Sequence, residues 1–192
     1  MKADHVCTCG QRHLQPQSIV RVGSGILDSM GAIIQELSLG GSCVLVCDGN
    51  TYEVAGSKVF EQLQAVGKDV QVLKFQRSEN LVPNEQALGE LFQALVSKPD
   101  FLIAVGSGTI SDLTRYAAFI AGIPFVLVAT APSMDGYSST VSSLVQHGTK
   151  QTFLGKEAFA ILGDTRVLSE APLHMIQSGA GDLLGKIISR AD

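Results

Sequence analysis

The chain has no tryptophan, no long apolar run and no cluster of basic residues, and the last two absences narrow what it can be. No segment reaches the roughly 18 consecutive apolar residues of a membrane span. Met1-Lys2-Ala3-Asp4-His5 opens without the apolar core of a secretory signal. The expectation is a soluble, cytoplasmic protein with no membrane partner. Lys and Arg number 14 against 18 Asp and Glu, for a formal net charge of −4. Without a basic stripe, nucleic acid is not expected as a partner, because neutralising phosphates needs clustered cations. Charged residues are only 17% of the chain beside 45% hydrophobic ones, which excludes a disordered polypeptide. Cysteine is sparse as well, with 4 in all. Cys43 and Cys47 lie in the apolar run SCVLVCDG, where thiols behave as small hydrophobes and are expected to be free. Cys7-Thr8-Cys9-Gly10 with His13 has the form of half a zinc site, yet no second Cys/His cluster stands at usable spacing. An N-terminal strand or arm is the other reading of that segment.

What is present is a regular alternation of apolar runs and amphipathic stretches. At 192 residues the chain suits one large domain, or one domain and part of another, at about 150 residues per domain. Strands are expected at Ile19–Val22, Val44–Cys47, Val70–Phe75, Phe101–Val105 and Phe125–Val128. Helical periodicity runs from Ile26 to Leu37, from Val54 to Val66, through Leu88, Leu91, Phe92, Leu95 and Val96, and from Ile110 to about Ala121. Short continuous apolar runs alternating with helices are the mark of βαβ units and a parallel sheet covered on both faces. The fold class is therefore α/β. The Gly/Ser-rich stretch from Ser133 to Gly148 reads as a long loop or a hairpin. Gln151–Leu154 and Ala158–Leu162 read as two further strands. From Pro172 the pattern is helical to the end, with neither a Gly cap nor a Pro stop. That unfinished pattern suggests a truncated polypeptide, a frayed terminal helix being the ordinary alternative.

Three segments carry chemistry. Val105-Gly106-Ser107-Gly108-Thr109-Ile110-Ser111-Asp112 follows an apolar strand and opens a helix. Its glycines let the backbone approach an anion, and the helix start offers free N–H groups and the positive end of the dipole. It is neither GxGxxG nor a P-loop, so a nucleotide pyrophosphate site and a tight strand–helix turn both remain open. Thr130-Ala131-Pro132-Ser133-Met134-Asp135-Gly136-Tyr137-Ser138-Ser139 stands where open α/β sheets bind ligands. Its carboxylate and hydroxyls suit a polyhydroxylated or phosphorylated ligand, and equally an ordinary turn. Ser178-Gly179-Ala180-Gly181-Asp182-Leu183-Leu184-Gly185-Lys186 puts three glycines into a helical stretch, at about 1 kcal/mol each relative to Ala. Close packing or a ligand must offset that. Asp182 among them is a candidate ligand for a hard metal or a substrate hydroxyl, or an exposed helical Asp. Asp48 could accept from a ribose hydroxyl, or simply form the turn before Gly49. His147 and His174 pair with no recognisable carboxylate.

On these motifs the sequence resembles the sn-glycerol-1-phosphate dehydrogenase family, a branch of the iron-containing alcohol dehydrogenase and dehydroquinate synthase superfamily. The resemblance runs over nearly the whole chain. It is carried by Cys-x-Cys-Gly-x-x-His at the start, Cys47-Asp48-Gly49-Asn50-Thr51, GSGTISDLTRYAAFIAGIPFVLVATAPSMDGYSS and GAGDLLGK. It implies a Rossmann-like NAD(P)-binding domain over residues 1–170. It also implies, over residues 171–192, the first helix of an all-helical domain that is otherwise missing. Gly108, Thr109, Ile110, Ser111 and Asp112 would meet the cofactor pyrophosphate, with Gly106 and Ser107 also in the cofactor site. Thr130, Ala131, Pro132, Ser133 and Ser139 would hold the nicotinamide side, with Asp48 near the adenosine ribose. Asp135 would bind substrate. Asp182 would touch substrate and be the first ligand of a catalytic divalent metal, Zn²⁺ or Ni²⁺.

The implied reaction is hydride transfer between NAD(P) and the C2 centre of dihydroxyacetone phosphate or glycerol 1-phosphate, in phospholipid biosynthesis. The metal acts as Lewis acid. Arg115 stands where relatives often carry Lys. The remaining metal ligands in such enzymes are downstream His residues that this chain does not contain, so little turnover is expected of it alone. Lys186 is a candidate for the positive charge that a phosphate substrate needs. The alternatives are a stand-alone nucleotide-binding module, or a relative such as a glycerol dehydrogenase or dehydroquinate synthase. An apolar face left by the missing domain would favour a homo-oligomer.

Overall fold

A computed structural model describes residues 17–77 and 80–189. The Cys7, Cys9 and His13 segment lies outside the described residues. Eight strands, β1 (Ile19–Gly23), β2 (Ser42–Asp48), β3 (Asp69–Phe75), β4 (Phe101–Gly106), β5 (Phe125–Ala129), β6 (Val141–Gln146), β7 (Thr149–Leu154) and β8 (Ala160–Asp164), form two sheets. The main sheet has six strands in the order β1-β8-β5-β4-β2-β3, every pair parallel. The α/β expectation therefore stands. β4, β5 and β8 are buried along their whole length, and β2 over its five central residues. Covered on both faces, they have no polar side to display and read as unbroken apolar runs. The edge strands β1 and β3 are mixed.

Alternation along the strands feeds two cores. Cys43, Leu45 and Cys47 pack with Ile103, Val126 and Val128 under α1 (Met30–Glu36) and α3 (Ser57–Ala65), through Ile34, Val59 and Leu63. Val44, Val46, Leu102, Ala104 and Leu127 face the other way, against Leu91 of α4 (Glu85–Ala94) and Leu113 and Ala117 of α5 (Gly108–Ala121). Cys43 and Cys47 are free and buried. Burial pushes each thiol up to about 12, so they are inert packing groups.

The helix after β2 begins earlier than its periodicity suggested. Asp48 accepts from the Thr51 N–H at 2.8 Å while the Thr51 hydroxyl accepts from the Asp48 N–H at 3.0 Å. This reciprocal cap starts the short α2 (Gly49–Thr51), which passes through a π-helical turn at Tyr52–Gly56 into α3. The stretch Ser133–Gly148 resolves into the hairpin alternative. β6 and β7 pair antiparallel from Val141–Leu154 to Gln146–Thr149, around His147 (φ 50°) and Gly148 (φ 74°), two positive φ values that suit a tight hairpin turn. Gln151–Leu154 belongs to this hairpin and not to the main sheet. After β8 come α6 (Thr165–Ser169) and α7 (Leu173–Ser189). Among the described residues no helix is long and apolar enough to cross a membrane.

β2 pairs with β3 on one side and β4 on the other. The chain leaves β2 in one direction and resumes in the other, so a crevice opens outside the carboxyl ends of β2 and β4.

Candidate active site

Gly106 ends β4 and turns the chain into α5. A Cβ there would lie 2.6 Å from Cβ of Ile110, so only glycine lets the first helical turn fold down on the strand. Asn84 caps α4 and Asp48 caps α2 through their side chains, but Ser107 makes no such bond to α5. The first N–H groups of this 14-residue helix have no intrahelical partner, and with the dipole they form a natural anion seat. Gly108 and Thr109 floor a cleft of about 560 Å³ that also contains Asp112, Asp135, Ser139 and Asp182.

The far wall of that cleft is the segment after β5, locked to α7. The Asp135 N–H donates to Oδ2 of Asp182 at 2.8 Å, and the Asp135 carboxylate pairs with Lys186 Nζ at 2.9 Å. Lys186 holds the Asp135 carboxyl below the usual carboxylate range, and Asp135 in turn raises the Lys186 ammonium. These residues can approach because Gly179 faces the loop: a Cβ on it would sit 1.9 Å from the Pro132 carbonyl oxygen. Of the three helical glycines, close packing explains this one, while Gly181 and Gly185 face open space.

The hairpin forms the remaining wall, with Ser143, Val145 and Lys150 in the lining. It is tied to α4 by Val145 N–H to Pro83 O at 2.8 Å and by His147 N–H to Glu85 Oε1 at 2.7 Å. It is tied to α5 by Arg115, whose guanidinium donates to the Val141 carbonyl at 3.2 Å. Asp112 is paired with Arg115 at 2.8 Å. Burial pushes the Asp112 carboxyl up, with Arg115 opposing. Arg115 and Lys150 were not among the expected site residues. Lys150 had no local motif: it is the second residue of β7, and the pairing with Val145 brings it to the cleft.

The structure divides the expected residues between two clefts. Gly108, Thr109, Asp112, Asp135, Ser139 and Asp182 share the larger one. Asp48, Ser107, Thr130 and Ala131 line a second, of about 330 Å³, closed by Val167, Pro172 and Met175. Consecutive residues Ser107 and Gly108 face one cleft each, so the glycine turn separates them. Ile110 and Ser111 are buried. Ser111 N–H donates to Ser107 O at 2.9 Å and its hydroxyl accepts from Arg115 at 3.2 Å, so Ser111 offers a ligand nothing directly. Pro132 faces an apolar cleft beside α7. The hydroxyl of Tyr137, four residues after Ser133, donates to the Ala131 carbonyl. The Ser139 hydroxyl donates to the Val141 carbonyl and accepts from the Val141 N–H, at 3.0 Å each.

The glycine turn, the uncapped helix and the cleft beyond them fit a dinucleotide phosphate. A metal is different. Among the described residues no group of three His, Cys, Asp or Glu side chains is placed to hold one. Asp182 supplies one carboxylate, and His147 and His174 do not join it.

Comparison with known proteins agrees with this geometry. The family model described as iron-containing alcohol dehydrogenase matches residues 21–172. The chain is 36% identical over 189 residues to a glycerol-1-phosphate dehydrogenase, NAD(P)+ by its name, of Halalkalibacterium halodurans, covering 97% of this chain and 47% of that one. It is 41% identical over 151 residues to the protein of the same name in Bacillus velezensis, covering 78% and 38%. Thus the chain spans about half the length, or less, of these curated relatives. Among solved structures it superposes on the NADH-dependent butanol dehydrogenase A of Thermotoga maritima with a TM-score of 0.77 at 15% identity, covering 93% of this chain and 50% of that one.

Proposed function

Since the chain belongs to the iron-containing alcohol dehydrogenase family, we propose that it carries the cofactor-binding part of an NAD(P)-dependent sn-glycerol-1-phosphate dehydrogenase. One observation supports this most: the uncapped N-terminus of α5 opens onto the same cleft as Asp135 and Asp182. In this reading residues 1–170 form the cofactor unit and 171–192 contribute Asp182 and Lys186 from a helical unit. The N–H groups of Gly108, Thr109 and Ile110 hold the pyrophosphate. Asp48 lies toward the adenosine ribose, and Thr130 to Ser133 with Ser139 toward the nicotinamide. The nicotinamide, when bound, supplies the hydride chemistry. Asp135 and Asp182 orient the hydroxyls of the triose. Lys186 and Lys150 provide the positive charge for its phosphate.

Asp182 is proposed as one ligand of a divalent metal, Zn²⁺ or Ni²⁺, whose other ligands are not among the described residues.

The test combines titration with NADH and NADPH and an assay of dihydroxyacetone phosphate reduction, beside glycerol and dehydroquinate synthase substrates. Saturable cofactor binding is expected, with any turnover confined to dihydroxyacetone phosphate. No binding at about millimolar cofactor, the upper end of ordinary enzyme affinities, would overturn the reading.

A further inference from the structure

Arg115 has no part in the chemistry above, yet it is the largest fully buried side chain among the described residues. It comes from the middle of α5 and ends beneath the loop that carries Asp135. One terminal nitrogen donates to Asp112 Oδ1 at 2.8 Å and to the Val141 carbonyl at 3.2 Å. The other donates to the Gly136 carbonyl at 2.9 Å, the Tyr137 carbonyl at 3.3 Å and the Ser111 hydroxyl at 3.2 Å. Three of these acceptors are backbone oxygens of the segment 136–141. A planar guanidinium can serve them together; an ammonium, a point charge with three donors on a shorter reach, cannot.

We propose that Arg115 is a positioning residue, whose fork on the Gly136, Tyr137 and Val141 carbonyls sets the loop so that Asp135 meets Asp182 and Lys186. The residues it positions are 47 and 51 apart in sequence from their partners on α7, in the case of the Asp135 amide on Asp182 and the Asp135 carboxylate on Lys186. The loop has no regular secondary structure beyond the short 3-10 turn Gly136–Ser138. Its shape therefore depends on what its carbonyls bind. Packing fixes the arginine in turn. A Cβ at Gly155 would fall 2.9 Å from Arg115 Cγ and 3.0 Å from its Cδ, mid-chain atoms of a side chain pinned at its tip. Arg115 Nε is buried with no hydrogen-bond partner among the described residues, as is the Ser142 hydroxyl, which would lie 3.3 Å from a Cβ at Gly155.

The effect on turnover rests on the dehydrogenase reading; the effect on the loop does not. The test compares Arg115→Lys and Gly155→Ala with the unaltered protein. The first keeps the charge beside Asp112 but loses the fork. The second leaves the guanidinium intact and displaces its stem. Peptide-resolved hydrogen exchange and separate KM values for NADH and dihydroxyacetone phosphate are measured. In both variants exchange over residues 134–141 should rise about tenfold, the loss of one or two net hydrogen bonds, with β4 and β5 unchanged. KM for the triose should rise about tenfold while KM for NADH stays within about twofold. Unaltered exchange in both variants would overturn the proposal. So would an equal rise across β4 and β5, which marks a general stabilising role. If the unaltered protein shows no turnover, the exchange profile alone decides the role of Arg115, and the dehydrogenase reading stands or falls on NADH binding.

Discussion

Asp164, at the end of β8, shows how one carboxylate can organise a corner of the molecule. Its oxygens accept from the N–H groups of Gly25, Leu27 and Arg166 at 3.1 Å each. Burial by itself would raise its pKa, but the Arg166 side chain and these amides outweigh it and bring the carboxyl to about 2. A folded pKa below the unfolded value means stability that is complete above about pH 4 and lost as pH falls toward 2. Asp164→Asn should cost about 2 kcal/mol at neutral pH and flatten the acid limb of a urea-unfolding series. An unchanged acid limb would show that the corner is held otherwise.

The helical glycines give a paired prediction at the same scale. Gly179→Ala should destabilise by roughly 1–3 kcal/mol, because its methyl meets the Pro132 carbonyl. Gly181→Ala, in open space, should instead stabilise by about 0.5–1 kcal/mol through helix propensity. Thermal melts of the two variants moving in the same direction would contradict this. The sequence showed that something must offset these glycines. It could not show which one, since the opposing atom is a carbonyl oxygen 47 residues away in the chain. Asp48 was equally ambiguous: a ribose ligand and a turn residue share one composition, and the reciprocal cap with Thr51 shows at least the second role.

Among the elements, α5 is central. Thr109→Asp places a carboxylate in its first turn, where the dipole favours it by about 0.3–1 kcal/mol. The variant should melt no lower than the original, yet bind NADH at least about tenfold more weakly, since a second anion must now share the seat. Equal NADH affinity would move the pyrophosphate elsewhere. The buried strands were legible because β4, β5 and β8, and the core of β2, are covered on both faces. The hairpin was legible only as one of two alternatives, and the pairing of Gln151–Leu154 with it was not. Neither β6 (VSSLVQ) nor β7 (TKQTFL) alternates cleanly between apolar and polar residues, and His147-Gly148 lacks the Asn-Gly or Asp-Gly signal. Nor does any local pattern announce the π turn at Tyr52–Gly56. The consequence was functional, for the hairpin brings Ser143 and Lys150 to the cleft.

For the whole molecule, the parallel sheet places the ends of β2, β4 and β5 in one row, and loops from distant parts of the sequence meet above them. The glycine motif, the Asp135 loop and the Asp182 helix were each readable as candidates. That they face a common cleft, with Thr130 and Asp48 on the other side of the Ser107 turn, depends on strand order and long-range packing, which no local window contains. The exposed apolar face of α7, with Leu183, Leu184 and Ile187, belongs to this scale too. The central claim is that a dinucleotide phosphate sits on the first turn of α5. Amide chemical-shift mapping during NADH titration tests it most directly. The account predicts saturating shifts centred on Gly108, Thr109 and Ile110 and extending to the Asp135 loop. Saturating NADH that leaves those three amides unmoved would contradict it.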